Sequence, residues 1–108
     1  MELRKVTAII RTEVLEKVEK RLRGMGVKGI SVTRVKGYGE YANFFSRDWL
    51  VTHARIEIFS EKGKAEKAAA VIMEAAHSGV PGDGIVVILP VEKIFRIRSQ
   101  SEANPDEI

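Results

Sequence analysis

Two stretches of strict residue alternation, each running straight into a helical pattern, constrain this chain more than any other feature. In Leu3–Arg11, Val6, Ala8 and Ile10 alternate with Lys5, Thr7 and Ile9. Alternate residues of a strand point to opposite faces, so one face is apolar and the other mixed. Over residues 51–59, Ala54, Ile56 and Ile58 alternate with Arg55, Glu57 and Phe59 in the same way. After the first stretch, Val14, Val18, Leu22 and Met25 recur at helical spacing, which predicts a helix packed on a sheet. Thr12 is its expected cap, Glu13 and Glu16 suit the positive end of its dipole, and Gly24 and Gly26 end it. After the second, Ala65, Ala68, Ala69, Ile72, Ala75 and Ala76 form an apolar helical face over about 61–77, with Ser60 as the expected cap. Those side chains are small enough to let a helix lie close to a sheet.

Residues 29–36, rich in β-branched side chains, read as a further strand. Residues 85–89 (IVVIL) form a continuous apolar run, the pattern of a strand covered on both faces; Pro90 is expected to break it. Residues 95–98 read as a short last strand, and 99–108 as a loose polar tail. The order strand–helix–strand–strand–helix–strand predicts an α+β ferredoxin-like βαββαβ sandwich. The 108 residues suit one domain, placed at 1–98. Two helices cover one sheet face, so the other is expected to associate with further copies, the alternative being a face left to water, as antiparallel sheets allow.

Composition removes several classes. There is no cysteine, which excludes disulfides, thiolate catalysis and cysteine metal sites and suits a reducing compartment. No apolar run approaches the roughly 20 residues of a spanning helix. The opening MELRKVTAII lacks the pattern of a signal peptide, so a cytoplasmic location is expected. Eighteen basic side chains against fifteen acidic ones leave +3. The basic residues are interspersed with acids rather than concentrated on one face, and the aromatics avoid the strands, so nucleic acid is not the expected partner.

Three motifs can carry chemistry. Val35-Lys36-Gly37-Tyr38-Gly39 ends a strand on two glycines that let a ligand approach backbone. Ser78-Gly79-Val80-Pro81-Gly82-Asp83-Gly84 can present amide groups to an anion. Arg96 and Arg98, two apart, would share a strand face and grip one phosphate chain. Neither glycine run joins a strand to a helix as a Walker loop or dinucleotide fingerprint does. Singly, each motif is ordinary punctuation or a solvated strand face.

In this order, VKGYG, SGVPGDG and FRIRS resemble the nitrogen regulatory P-II signal-transduction family over roughly residues 1–99. The resemblance implies a homotrimer that binds adenine nucleotide (ADP, AMP or ATP) between subunits. It also implies a long loop, here 37–50, that docks on a target protein such as a transporter or an enzyme; through a transporter the protein would meet a membrane indirectly. Carried over, Gly37, Tyr38 and Gly39 approach the nucleotide from the loop base and Ser31 lies near the adenine. Gly82, Asp83 and Gly84 hold phosphate and ribose, and Arg96 and Arg98 meet the phosphates. Three positions depart from the family pattern. Ile85 replaces a phosphate-gripping lysine after Gly-Asp-Gly, which favours ADP or AMP over ATP. Tyr41 replaces a glutamine that helps hold metal and 2-oxoglutarate. His53 replaces the lysine that pairs with 2-oxoglutarate, and a neutral imidazole captures a carboxylate poorly. The loop is also shorter than the family's and lacks the tyrosine context of uridylylation. A bicarbonate- and adenylate-sensing variant of the family remains open.

Five of the seven aromatic residues, Tyr38, Tyr41, Phe44, Phe45 and Trp49, fall in the loop. Aromatics are frequent interface anchors, and they can equally fold a loop onto its own body. Ser46, Asp48 and His53 include triad residue types but crowd one loop, which lacks the preorganisation catalysis needs. His53, Asp48 and His77 show no metal-ligand spacing; His77 reads as a partner of a helix C-terminus. No enzyme activity, catalytic cofactor or metal is expected. A trimeric metal-tolerance protein of the CutA type shares the architecture but has no use for the Gly-Asp-Gly turn and the arginine pair.

Overall fold

The computed structural model describes residues 2–39 and 50–108. The element order is β1 (Leu3–Arg11), a 3-10 turn (Thr12–Val14), α1 (Leu15–Gly24), β2 (Ser31–Gly37), β3 (Val51–Glu61), α2 (Lys62–Ala76) and β4 (Gly84–Val91), followed by β5 (Phe95–Arg96), β6 (Ser101–Glu102) and a 3-10 turn at Pro105–Glu107. Four strands form an antiparallel sheet in the order β2-β3-β1-β4. Two βαβ halves whose second strands lie outermost give this order, which is the ferredoxin-like arrangement expected from the pattern.

The alternation does what the sequence demands. Val6, Ala8 and Ile10 of β1 and Ala54, Ile56 and Ile58 of β3 are each about 1% exposed and turn toward the helices. They meet Val18 and Leu22 of α1 and Ala65, Ala68, Ile72 and Ala75 of α2. The methyl side chains of Ala65, Ala68 and Ala75 let α2 lie close to the sheet, with Ile72 the one large side chain among them. Helix α1 ends in a Schellman motif. The Val27 amide donates to the Leu22 carbonyl and the Gly26 amide to that of Arg23, and Gly26 takes φ +93°, the left-handed conformation that closes such a cap.

Several expectations need correction. Neither Thr12 nor Ser60 caps a helix: the Thr12 hydroxyl donates to Glu13 and the Ser60 hydroxyl to the Glu61 carbonyl. A 3-10 turn enters α1, and β3 runs through Glu61 before α2 begins. Pro90 does not break β4, which continues to Val91. An edge strand has amide positions that owe nothing to the ladder, so proline is tolerated there. The apolar run is not covered on both faces. Ile85, Val87 and Leu89 are 59%, 37% and 41% exposed, on the face away from the helices. The tail is not loose. Ala103 is buried and its amide donates to the Ile94 carbonyl at 2.9 Å.

Candidate functional site

The glycine-rich turn after α2 is built around one carboxylate. Asp83 accepts the amides of Ser78 and Gly79 at 2.8 and 2.9 Å and the Ser78 hydroxyl. Arg11, at the end of β1, approaches it at 3.4 Å and also donates to the Pro81 carbonyl at 2.6 Å. The Ser78 hydroxyl, the two amides and the Arg11 guanidinium hold the Asp83 carboxyl well below the ordinary carboxylate range. The expected anion nest therefore exists, but its occupant at Ser78 and Gly79 is the chain's own Asp83. That side chain shapes the turn rather than facing outward. Gly84 closes the turn at φ +104°, pairing with Ile10 where β4 meets β1.

This turn and the end of β2 lie at the same end of the sheet, on its opposite edges, with β3 and β1 between them. A cavity of about 330 Å³ is lined by Ile9, Val35, Lys36, Gly37, Tyr38, Gly39, Val51, His53, Gly82, Gly84 and Ile85. Residues of two of the three motifs thus line one cavity. His53 bridges them, its Nε2 lying 3.2 Å from the Gly82 carbonyl. A carbonyl only accepts, so this contact needs the proton on Nε2. A Cβ at Gly37 or Gly39 would meet nothing within 4 Å among the described residues, and neither has a positive φ. Internal packing does not require glycine there; what glycine gives is an open approach to backbone. Tyr38 is 78% exposed at the rim. Tyr41, Phe44, Phe45, Ser46, Asp48 and Trp49 lie outside the described residues.

Ser31 and Arg96 are elsewhere. They line a second, larger cavity of about 590 Å³, between the α1–β2 connection, β3 and the C-terminal residues. Lys28, Glu57, Phe59 and Lys64 also line it. Arg96 and Arg98 do not share a strand face. Strand β5 ends at Arg96, and residues 97–100 form a turn in which Gln100 takes φ 53°. Arg96 donates to Glu107 at 2.9 Å. Glu107 also accepts the Asn104 amide at 2.8 Å. That amide, then Arg96, lowers the Glu107 pKa from its ordinary value.

Sequence reasoning missed Arg11, Lys28 and Glu107. Arg11 was accessible: once β1 and β4 pair as neighbours, the residue after Ile10 must reach the turn before Gly84. His77 is the C-cap residue of α2, consistent with its structural reading. Among the described residues no three His, Asp or Glu side chains gather as a metal site, and no helix is long and apolar enough to cross a membrane.

With this geometry in place, known proteins can be set beside it. The family model of nitrogen regulatory protein P-II matches residues 3–101. The nitrogen regulatory protein P-II of Azospirillum brasilense is 35% identical over 104 residues, covering 90% of this chain and 93% of that protein. Nitrogen regulatory protein P-II 1 of Methanothermobacter thermautotrophicus is also 35% identical, covering 90% of each. A crystal structure of Arabidopsis thaliana PII bound to citrate superposes with a TM-score of 0.82 at 31% identity, covering 94% of this chain and 89% of that one.

Proposed function

Since the chain belongs to the nitrogen regulatory P-II family, we propose that it is a non-enzymatic signalling subunit. In this reading it binds an adenine nucleotide and reports occupancy to a target protein through residues 37–50. The observation that carries it is the single cavity where Gly37, Tyr38 and Gly39 meet Gly82 and Gly84. A ligand there touches the base of the loop, so its binding energy can bias what the loop does.

The remaining expected contacts, Ser31 and Arg96, line the other cavity. One chain therefore offers two half-sites, and a homotrimer that sets one subunit's half against the next completes the cleft. The exposed Ile85, Val87 and Leu89 on the uncovered sheet face support such an assembly, because contiguous apolar surface of this kind marks interfaces. That a PII protein was solved bound to citrate, a polyanion, agrees with a fold that accepts multiply charged ligands. ADP or AMP is favoured over ATP, because Ile85 offers no cation for a third phosphate. A target such as a transporter or an enzyme would be met in the cytoplasm.

The test is calorimetry with ADP, AMP and ATP, each with and without 2-oxoglutarate and bicarbonate. ADP is expected to bind the wild type, and the double variant Arg96→Ala, Arg98→Ala to lose most of that affinity. Equal ADP affinity in both proteins would refute the phosphate assignment.

A further inference from the structure

The C-terminal residues fold into the larger cavity, and they do so through the cation expected to hold phosphate. The Glu107 carboxylate sits between the Arg96 guanidinium and the Asn104 amide. Asn104 and Glu107 form a capping box with Pro105 at the first turn position, so the carboxylate is presented by a built element and not by a wandering side chain. Lys28 donates to the Asp106 carbonyl on the same flank. Asp106 and Glu107 line the cavity together with Ser31 and Arg96. A carboxylate and a phosphate offer a guanidinium the same thing, a pair of anionic oxygens matched to its fork.

We propose that residues 103–108 are a built-in competitor of the nucleotide: Glu107 occupies Arg96 as a stand-in for phosphate, and an adenylate binds by displacing it. This rests on the nucleotide reading above and adds its regulation. A tethered group acts at an effective concentration in the millimolar range, so even a half-exposed ion pair competes. The apparent affinity for ligand falls by the fraction of time that the site is open. A glutamate carboxyl is ionised at neutral pH, so the competitor is charged there.

Calorimetry with ADP tests this on three full-length proteins: wild type, Glu107→Gln and Glu102→Gln. Glutamine can still accept the Asn104 amide and keep the capping box, so Glu107→Gln retains the turn while removing the charge that holds Arg96. Glu102 is exposed in β6 and is not a lining residue of the cavity, so its variant controls for net charge alone. Glu107→Gln is expected to tighten ADP binding about fivefold, the scale of one exposed ion pair, and Glu102→Gln to leave it unchanged. A chain ending after Ala103 should bind ADP at least as tightly as Glu107→Gln. Unchanged or weaker ADP binding by Glu107→Gln, or equal tightening by Glu102→Gln, would overturn the competitor. No ADP binding by any of these proteins would bring down the nucleotide reading and the competitor with it.

Discussion

Replacing Gly84 with alanine tests the joint between the glycine-rich turn and the sheet. A Cβ at this position would lie 1.8 Å from the Ile9 carbonyl oxygen and 2.8 Å from its carbon. Both are backbone atoms, so no side chain can rotate away. The residue also sits at φ +104°, where an L-side chain costs about 1–3 kcal/mol. Relief requires β4 to withdraw from β1 by more than an ångström at the Ile10–Gly84 pair. Losing about two ladder hydrogen bonds there adds roughly 2 kcal/mol. The sum is about 4 kcal/mol, a large share of the roughly 5–15 kcal/mol that holds a domain together. Urea denaturation followed by circular dichroism, at one fixed protein concentration, should show the midpoint falling by ~2 M for a slope near 2 kcal/mol/M. Gly79→Ala is the control. It has φ +84°, but its Cβ would meet only the His77 ring at 3.7 and 3.8 Å, so only the conformational cost of about 1–2 kcal/mol applies. If Gly84→Ala moved the midpoint no further than Gly79→Ala, the close approach of β1 to Gly84 would not exist as described.

Other outcomes follow from the same geometry. Ala68→Leu should cost ~1–3 kcal/mol by overpacking the α2–sheet contact, read as a lower thermal midpoint, because Ala68 is fully buried. Asp83→Asn should loosen the turn without unfolding the sheet, seen as faster hydrogen exchange at Ser78 and Gly79. Asp83 has a lowered pKa, so its contribution to stability is complete above the ordinary carboxylate value and fades as pH falls toward the lowered one. Protection of those two amides should therefore hold down to about pH 4, the ordinary carboxylate range, and decline below it. Titration of 2-oxoglutarate in the presence of Mg-ATP should release no heat, since His53 is turned to the Gly82 carbonyl; tight binding would contradict that reading. Val87→Asp should turn a trimer into a monomer in sedimentation, if the open sheet face is the contact.

The fold was legible where burial is one-sided. In β1 and β3 each buried residue is followed by one on the other face, and no helix can satisfy that period, so strand and register follow together. The caps were not legible, because capping side chains identify a helix start only when the backbone there lacks other partners. At α2 the Lys62 amide donates to the Glu2 carbonyl at 3.0 Å, and the Ser60 hydroxyl serves Glu61 instead. Strand β4 shows the limit of a composition argument. Five apolar residues in a row do mean that both faces are apolar, but the pattern does not say whether the same chain supplies both covers. Here it supplies part of one: Val86 packs against the core, while Ile88 on the same face stays 38% exposed.

The site was half legible for a related reason. Gly37, Gly39, Gly82 and Gly84 fall at one end of the sheet because β2 ends there and β3 and β4 begin there. Strands β2 and β4 are opposite edges with β3 and β1 between them, so a pattern that yields the strand order yields the shared end, while the common cavity spans the two central strands through Ile9, Val51 and His53. Arg96 and Arg98 follow no such rule. Their alternation looks like a strand, yet the segment has a single two-residue partner, and residues 97–100 turn without glycine or proline to announce it. Reading 99–108 by polarity hid a more local signal. Asn104-Pro105-Asp106-Glu107 has the cap, the proline and the acid of a capping box at their required offsets. That turn carries Glu107 to Arg96. Polarity describes what a segment avoids burying, whereas the offsets describe which hydrogen bonds it can close; for a short segment the second decides the structure. The partner of the candidate phosphate-binding arginine was therefore written in the sequence, eleven residues further along, in a form that averaging over composition erases.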